Sequence, residues 1–236
     1  MFVELHIIQN FSPSNLNRDD TNNPKDCSFG GVRRARISSQ CIKRAIRLEP
    51  VFSTTTLIDD IGVRTRQLSH LIKDRLINKG ANEDQASVVG YAAALQYASR
   101  KYDKKKTMDD EHKGGTKVVL FLSLTEVDLL IRGLREKWEE IVNSIELDGD
   151  GDPKANEHVS KVVDNVLKAR QKKQGFEQMA YTNPPDIAMF GRMLAGNPEF
   201  AVDAACQVSH ALSTHRVSME MDFYTAVDDL QPGGET

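Results

Sequence analysis

Six basic residues, Arg33, Arg34, Arg36, Lys43, Arg44 and Arg47, fall between Ser28 and Leu48 with no acidic residue among them, in a chain whose formal net charge is −3. Cations at this density attract phosphate, and cations strung along consecutive elements suit the backbone of a polyanion better than a single small anion. If residues 32–37 form a strand, Arg34 and Arg36 share one face. If the next helix starts at Ser38 or Ser39, Lys43 and Arg47 lie one turn apart and the N-terminal amides add to the attraction for phosphate. The competing reading is a solvated basic face, and the lack of any compensating Asp or Glu argues against it.

Other residues could carry chemistry of their own. Asp19, Asp20 and Asp26 sit in a polar loop and could hold a divalent metal that cuts RNA, a use that needs converging carboxylates; the competing role is a solvated or arginine-paired aspartate. Asp148-Gly149-Asp150-Gly151-Asp152 starts like a calcium loop, but Pro153 stands where glycine is required and Val159 where a bidentate Glu belongs, so an exposed turn is expected. His210 and His215 lack a third ligand and read as packing residues. Phe11 and Phe29 flank the polar loop and could stack on bases or anchor the loop, while Tyr91, Tyr97 and Trp138 read as core or interface residues. No phosphate-binding glycine loop, nucleophile elbow or zinc signature is present. The expectation is a protein without catalytic residues, metal or cofactor.

The elements that must position these groups follow from periodicity. The chain has 236 residues, 39 % of them hydrophobic, enough for a proper core. Residues 2–8 alternate (Val3, Leu5 and Ile7 against Glu4 and His6) and predict a strand. Residues 9–31 carry no periodicity. Ser38 or Ser39 can cap a helix running to Leu48 and stopped by Pro50, with Cys41, Ile42, Ala45 and Ile46 on one side and Gln40, Lys43, Arg44 and Arg47 on the other. Residues 58–80, 84–101, 123–146 and 155–172 predict helices. Residues 186–193 read as a strand, and alternation of Val202, Ala204, Cys206, Val208, His210 and Leu212 predicts another. Strand, helix, helical insertion, strand and strand make half of a ferredoxin-like β-α-β-β-α-β unit, whose remaining helix and strand have no room before Thr236. Cys27, Cys41 and Cys206 are odd in number and far apart, which fits a reducing cytoplasm; the longest apolar run, residues 118–122, is far too short to span a bilayer and no secretory leader is readable.

Two stretches at opposite ends carry a family resemblance. The first comprises Asn17-Arg18-Asp19-Asp20, Pro24-Lys25-Asp26, the run from Phe29-Gly30-Gly31 through Arg33-Arg34-Ala35-Arg36-Ile37-Ser38-Ser39-Gln40, and Lys43-Arg44-Ala45; the second is Phe223-Tyr224-Thr225-Ala226-Val227-Asp228-Asp229-Leu230-Gln231. Together they resemble the backbone subunit of type I-E Cascade, the CRISPR-associated CasC family of the RAMP superfamily. The resemblance implies an α+β protein with an RRM-like (ferredoxin-like) palm, a helical fingers insertion and a thumb hairpin: residues 1–57 the first half of the palm, 58–180 the fingers, 181–212 the palm strands and 213–236 part of the thumb. The palm is then incomplete at the C-terminus, since family members continue beyond the thumb. It also implies a non-catalytic protein that polymerises with copies of itself along a crRNA guide, alongside other Cascade subunits, and presents the guide for pairing with target DNA in antiviral defence. Carried over, Arg18, Lys25, Arg33, Arg34, Arg36, Ser38, Gln40, Lys43, Arg44 and Arg47 contact the RNA. Met193 wedges against bases, and Met219, Met221 and Phe223 belong to the thumb. Lys161, Lys168, Arg170, Lys172 and Lys173 contact target DNA. The alternative is a metal-dependent ribonuclease of the type III backbone kind, using the loop aspartates.

Overall fold

The computed structural model describes residues 1–12, 14–51, 61–99, 107–109, 114–147, 153–154, 157–173, 184–194 and 196–218. They belong to two compact units: Met1–Ala45 with Val208–Thr236, and Ile46–Gln207. The chain is α+β, with small antiparallel sheets among helices.

The first unit is built on a hairpin. Strands β1 (Asp26–Phe29) and β2 (Val32–Ile37) pair antiparallel, with Cys27 opposite Arg34 and Phe29 opposite Val32. Gly30 and Gly31 make the two-residue connection at φ +63° and +74°, left-handed at both positions as a type I′ turn requires. Helix α1 (Ser39–Leu48) follows directly, capped by Ser38, whose Oγ accepts from the amide of Cys41 at 3.3 Å. Both the strand and the cap are as the sequence predicts. Residues 2–8 differ: they join no strand, and Val3, Leu5 and Ile7 are exposed. The alternation is present, but no described strand lies beside it, and a strand exists only through its ladder.

The second unit holds the large core. It contains β3 (Gly62–Thr65), α2 (Leu68–Ile77), α3 (Glu83–Ala98), the two-residue strands β4 (Met108–Asp109) and β5 (Gly115–Thr116), and β6 (Leu120–Ser123). Next come α4 (Leu124–Glu136), α5 (Trp138–Asn143), the pair β7 (Glu146–Leu147) and β8 (Pro153–Lys154), and α6 (Glu157–Lys173). Strands β3 and β6 pair antiparallel. Leu68, Ile72 and Leu76 on α2, Val89, Ala93 and Leu95 on α3, Ile131 and Leu134 on α4 and Val159 and Val163 on α6 are buried together. Helices α2 and α3 approach closely because Gly90 has no side chain: a Cβ there would lie 2.6 Å from the carbonyl oxygen of Ser69. Helix α4 begins with a reciprocal capping box, Ser123 Oγ accepting from the Glu126 amide and the Glu126 carboxylate from the Ser123 amide.

Three expectations are corrected here. Helix does not run through residues 58–80; it begins at Leu68, preceded by β3. Residues 186–193 are no strand: Pro185–Phe190 form a short helix, α7, started by a proline at its first position and ended by Gly191 at φ +75°. Residues 202–212 contribute only a bridge from Val202 to Arg192 and the two-residue strand β9 (Ala211–Leu212), which pairs with β2 in the first unit. Alternation gives a face, and the hydrogen-bonding partner decides whether that face becomes a strand. The aspartate run 148–152 and the thumb residues Met219, Met221 and Phe223, with Asp228 and Asp229, lie outside the described residues.

Candidate nucleic-acid interface

In the first unit Arg33, Arg34 and Arg36 lie on β2, Lys25 lies beside it, and Lys43 and Arg44 follow on α1. Residues 26, 28, 33 and 35 take one face of the hairpin, and 27, 29, 32, 34 and 36 the other, so Arg34 and Arg36 share a face. The polar loop before the hairpin is folded against it. Lys25 donates its amide to Asn17 O and accepts at its carbonyl from the Arg36 amide at 2.9 Å, while Asn17 Oδ1 accepts from the Ser38 amide at 2.8 Å. Lys25 and Arg36 are thereby backbone neighbours, and Lys43 and Arg44 follow on the first turns of α1, where Gln40 and Arg44 are exposed.

The cations differ in what they already hold. Arg34 acts as a clamp: Nε donates to Phe29 O at 3.1 Å and Nη1 to Ser213 O at 2.8 Å and Thr214 O at 2.7 Å. It ties the hairpin turn to the chain returning from β9. Arg33 pairs across the hairpin with Asp26, Nε to Oδ2 at 2.6 Å, and Arg18 donates to Asn22 Oδ1 at 2.8 Å. The Nε of half-buried Arg36 has no hydrogen-bond partner among the described residues. Two N-terminal amides of α1 are engaged within the unit: Ser38 Oγ takes Cys41, and His210 Nδ1 accepts from Ser39 at 3.2 Å. Ser38 is therefore buried as a cap.

Asp19 shapes the loop. Its Oδ1 accepts from the amide of Asn23 at 2.8 Å and from the hydroxyl and amide of Thr21 at 2.8 and 2.9 Å. These bonds, the Asn23 amide foremost and then the Thr21 hydroxyl, hold its carboxyl below the ordinary value of 3.8. The bonded form is the charged one, so the turn is at full strength above the ordinary carboxylate pKa and weakens only as pH falls through the lowered value. In an NMR titration the Asn23 amide resonance should move with a midpoint below 3.8. A midpoint above 3.8 would refute the role given to these bonds.

In the second unit Arg47 is committed internally. Its Nε donates to Asp186 Oδ2 at 2.7 Å, its Nη2 to Gly62 O at 2.7 Å, and its guanidinium lies 4.4 Å from the ring centroid of Phe121. Asp186, fully buried, completes the knot by accepting from the amides of Gly62 and Ile187, each at 3.0 Å. A Cβ at Gly62 would lie 2.4 Å from the Phe121 ring, so a side chain there must displace the ring that covers Arg47.

A second buried knot surrounds Arg192. Nη1 donates to both oxygens of Glu126 at 2.9 and 2.8 Å, and Nε to Phe200 O at 2.8 Å. Tyr97, stacked on Phe200 with ring centroids 5.0 Å apart, is buried beside it; burial, then the charge of Glu126, push its phenol well above the usual tyrosine range. Met193, the next residue, is 88 % exposed.

Sequence comparison gives this geometry its setting. The profile of CT1975-like proteins matches residues 3–236. The chain belongs to this CasC-type family. Among the solved structures that resemble the CT1975-like chain described here are two of surveillance complexes. A chain of a structure titled "CRISPR RNA-guided surveillance complex" is 28 % identical at a TM-score of 0.61, covering 86 % of this chain and 56 % of its own. Another, titled "CRISPR RNA-guided surveillance complex, pre-nicking", is 30 % identical at a TM-score of 0.64, covering 94 % and 56 %. This chain thus spans little more than half the length of those it matches. No curated protein matches it significantly.

On this CT1975-like chain the predicted target-DNA residues lie on α6. Val159, Val162, Val163, Val166 and Leu167 face the core, which leaves Lys161 and Lys168 exposed; Lys168 is paired with Asp164 one turn earlier. The side chains of Arg170, Lys172 and Lys173 lie outside the described residues. No described helix is long and apolar enough to cross a membrane. Sequence reasoning did not reach the Arg47–Asp186 and Arg192–Glu126 knots. The only local signal is Ser123-x-x-Glu126, a capping-box spacing, which marks the helix start but says nothing of Arg192.

Proposed function

We propose that this chain grips the phosphates of a crRNA as a non-catalytic backbone subunit of a Cascade surveillance complex of type I-E. Copies of it polymerise along the guide beside other Cascade subunits and present the guide to target DNA. The first unit serves as an RRM-like palm, and the α-helices of the second as the fingers. The observation that carries this reading is that, in one unit, the loop of residues 17–25 is hydrogen-bonded to the end of β2, which runs directly into the first turns of α1. That places Lys25, Arg36, Lys43 and Arg44 along consecutive backbone segments. A protein that accepts any guide must hold phosphate and leave base edges free, and cations set along consecutive backbone segments suit that task. Arg34, already clamping carbonyls of the first unit, builds the surface in this reading.

Filter binding of the chain to unrelated single-stranded RNAs over a range of salt tests it. Affinity should be independent of sequence, with a log–log slope of roughly −3, from about four phosphate contacts at −0.7 each. A slope near zero would overturn the proposal and favour an acidic protein partner for the basic segment. The ribonuclease alternative gives a different signature: magnesium-dependent cleavage abolished by Asp19→Ala. The bonds Asp19 makes to Thr21 and Asn23 support a turn-forming role instead.

A further inference from the structure

Three side chains hold amides at the start of α1. Asn17 Oδ1 accepts from the Ser38 amide at 2.8 Å, Ser38 Oγ from the Cys41 amide at 3.3 Å, and His210 Nδ1 from the Ser39 amide at 3.2 Å. A carboxamide and a hydroxyl keep their lone pairs at any ordinary pH. An imidazole nitrogen accepts only while it is unprotonated, and in the charged ring both nitrogens donate. The Ser39 amide can only donate, so this bond requires a neutral ring with its proton on Nε2. A proton on Nδ1 would set two donors against each other and place a positive charge at the positive end of the helix. His210 is exposed, so solvent can deliver that proton without the fold opening.

The bond joins distant parts of the first unit. His210 is 171 residues from Ser39 and lies directly before β9, whose Ala211 and Leu212 pair with Ile37 and Arg36. Beyond β9, the carbonyls of Ser213 and Thr214 accept from Arg34, and the Val217 amide donates to Arg33 O. The charged groups on the elements packed here are Lys43 and Arg44 on α1, Arg36 on β2, Lys25 in the loop and Arg216 on the same segment as His210; Asp26 on β1 pairs with Arg33, and Asp19 is taken by its own turn. Lysine, arginine and carboxylate groups keep their charge between about pH 5 and 8, the range in which an imidazole changes. Of the ties between residues 208–217 and the rest of the unit, the one made by His210 is therefore the one that answers to pH in that range.

We propose that His210 is an acid-released latch. Neutral, it binds the segment entering β9 to the first turn of α1. Protonated, it lets go of Ser39, and the helix that carries Lys43 and Arg44 loses one of the three acceptors at its start. Asn17, Ser38 and the pairing of β9 with β2 stay in place, so the release is local and leaves the unit folded. The latch operates in the chain without RNA.

Ring-nitrogen and amide NMR of the full chain tests it. At about pH 8 the Nδ1 resonance of His210 should be that of an unprotonated nitrogen and the Nε2 resonance that of a protonated one; the opposite tautomer would overturn the proposal. As pH falls to about 5, the Ser39 amide resonance should move with the same midpoint as the His210 ring. The protection of that amide against exchange should drop by about tenfold, the loss of one ordinary hydrogen bond, at an unchanged circular-dichroism signal. His210→Gln, whose carboxamide can accept but takes up no proton, should abolish the movement, and His215→Gln should leave it as it is. A Ser39 resonance that ignores the His210 titration, or that still moves in His210→Gln, would overturn the latch, as would cooperative unfolding over the same range. If His210→Gln disturbs the fold, the tautomer and the titration of the parent chain decide.

Discussion

Asp186→Ala should destabilise the second unit by about 3–5 kcal/mol, the cost of leaving a buried charge without its partner. Arg47 has only 14 % of its side chain exposed, and Asp186 none. The substitution removes the carboxylate that takes Arg47 Nε and leaves the Gly62 amide without its acceptor. The guanidinium cannot move to solvent without leaving Phe121 and the Gly62 carbonyl. For a unit of this size the loss corresponds to a fall in Tm of roughly 10 °C, measured by circular dichroism. The paired replacement Arg47→Met with Asp186→Leu should recover most of it, because apolar packing substitutes for a buried pair. A shift under about 2 °C for Asp186→Ala would show that water reaches the site.

Reversing charge at Lys43 and Arg44 should weaken RNA binding on the order of 100-fold near physiological salt, about tenfold per lost phosphate contact. Arg44 is exposed and Lys43 half-buried on the first turns of α1, so Lys43→Glu with Arg44→Glu should leave Tm within a few degrees. Arg34→Glu is the instructive contrast. It breaks three hydrogen bonds to carbonyls and places a carboxylate beside them, so its loss of RNA binding should come with an early melt. Full RNA affinity in the Lys43→Glu, Arg44→Glu chain would remove α1 from the interface. Arg44→Glu alone, at roughly tenfold, separates the two contributions.

These contrasts mark where the sequence is readable. Strand β2 and the Ser38 cap follow from residues a few positions apart: an alternating basic run, a Gly-Gly turn, a serine three residues before an amide that needs an acceptor. Helices α2, α4 and α6 are equally local, each showing its buried stripe at helical spacing, while α3 is buried nearly all round. Strand β3 is four residues long and exists because Leu120–Ser123 lies beside it, a partner no local pattern announces. Residues 2–8 show the converse, a strand pattern with no ladder. Within the interface, side-chain type was legible but commitment was not. Arg34 meets carbonyls 179 and 180 residues further along the chain, and Arg47 a carboxylate 139 residues away. The same six cations therefore read as one track, whereas the fold makes clamps of Arg34 and Arg47, pairs Arg33 with Asp26, half-buries Arg36 and Lys43 and leaves Arg44 exposed.

The order in which the chain is made bears on the Arg34 clamp. Its acceptors, Ser213 and Thr214, and the strand that pairs with β2 are synthesised after the whole of residues 46–207, a stretch with its own large core. At 5–20 residues per second, translating that stretch takes on the order of 10–30 s, far longer than most domains need to fold. The second unit can thus collapse on the ribosome while the hairpin waits for its third strand. The basic hairpin is then the last part of the described chain to become rigid, and polyanions present during that interval meet it while Arg34 still lacks its acceptors at Ser213 and Thr214.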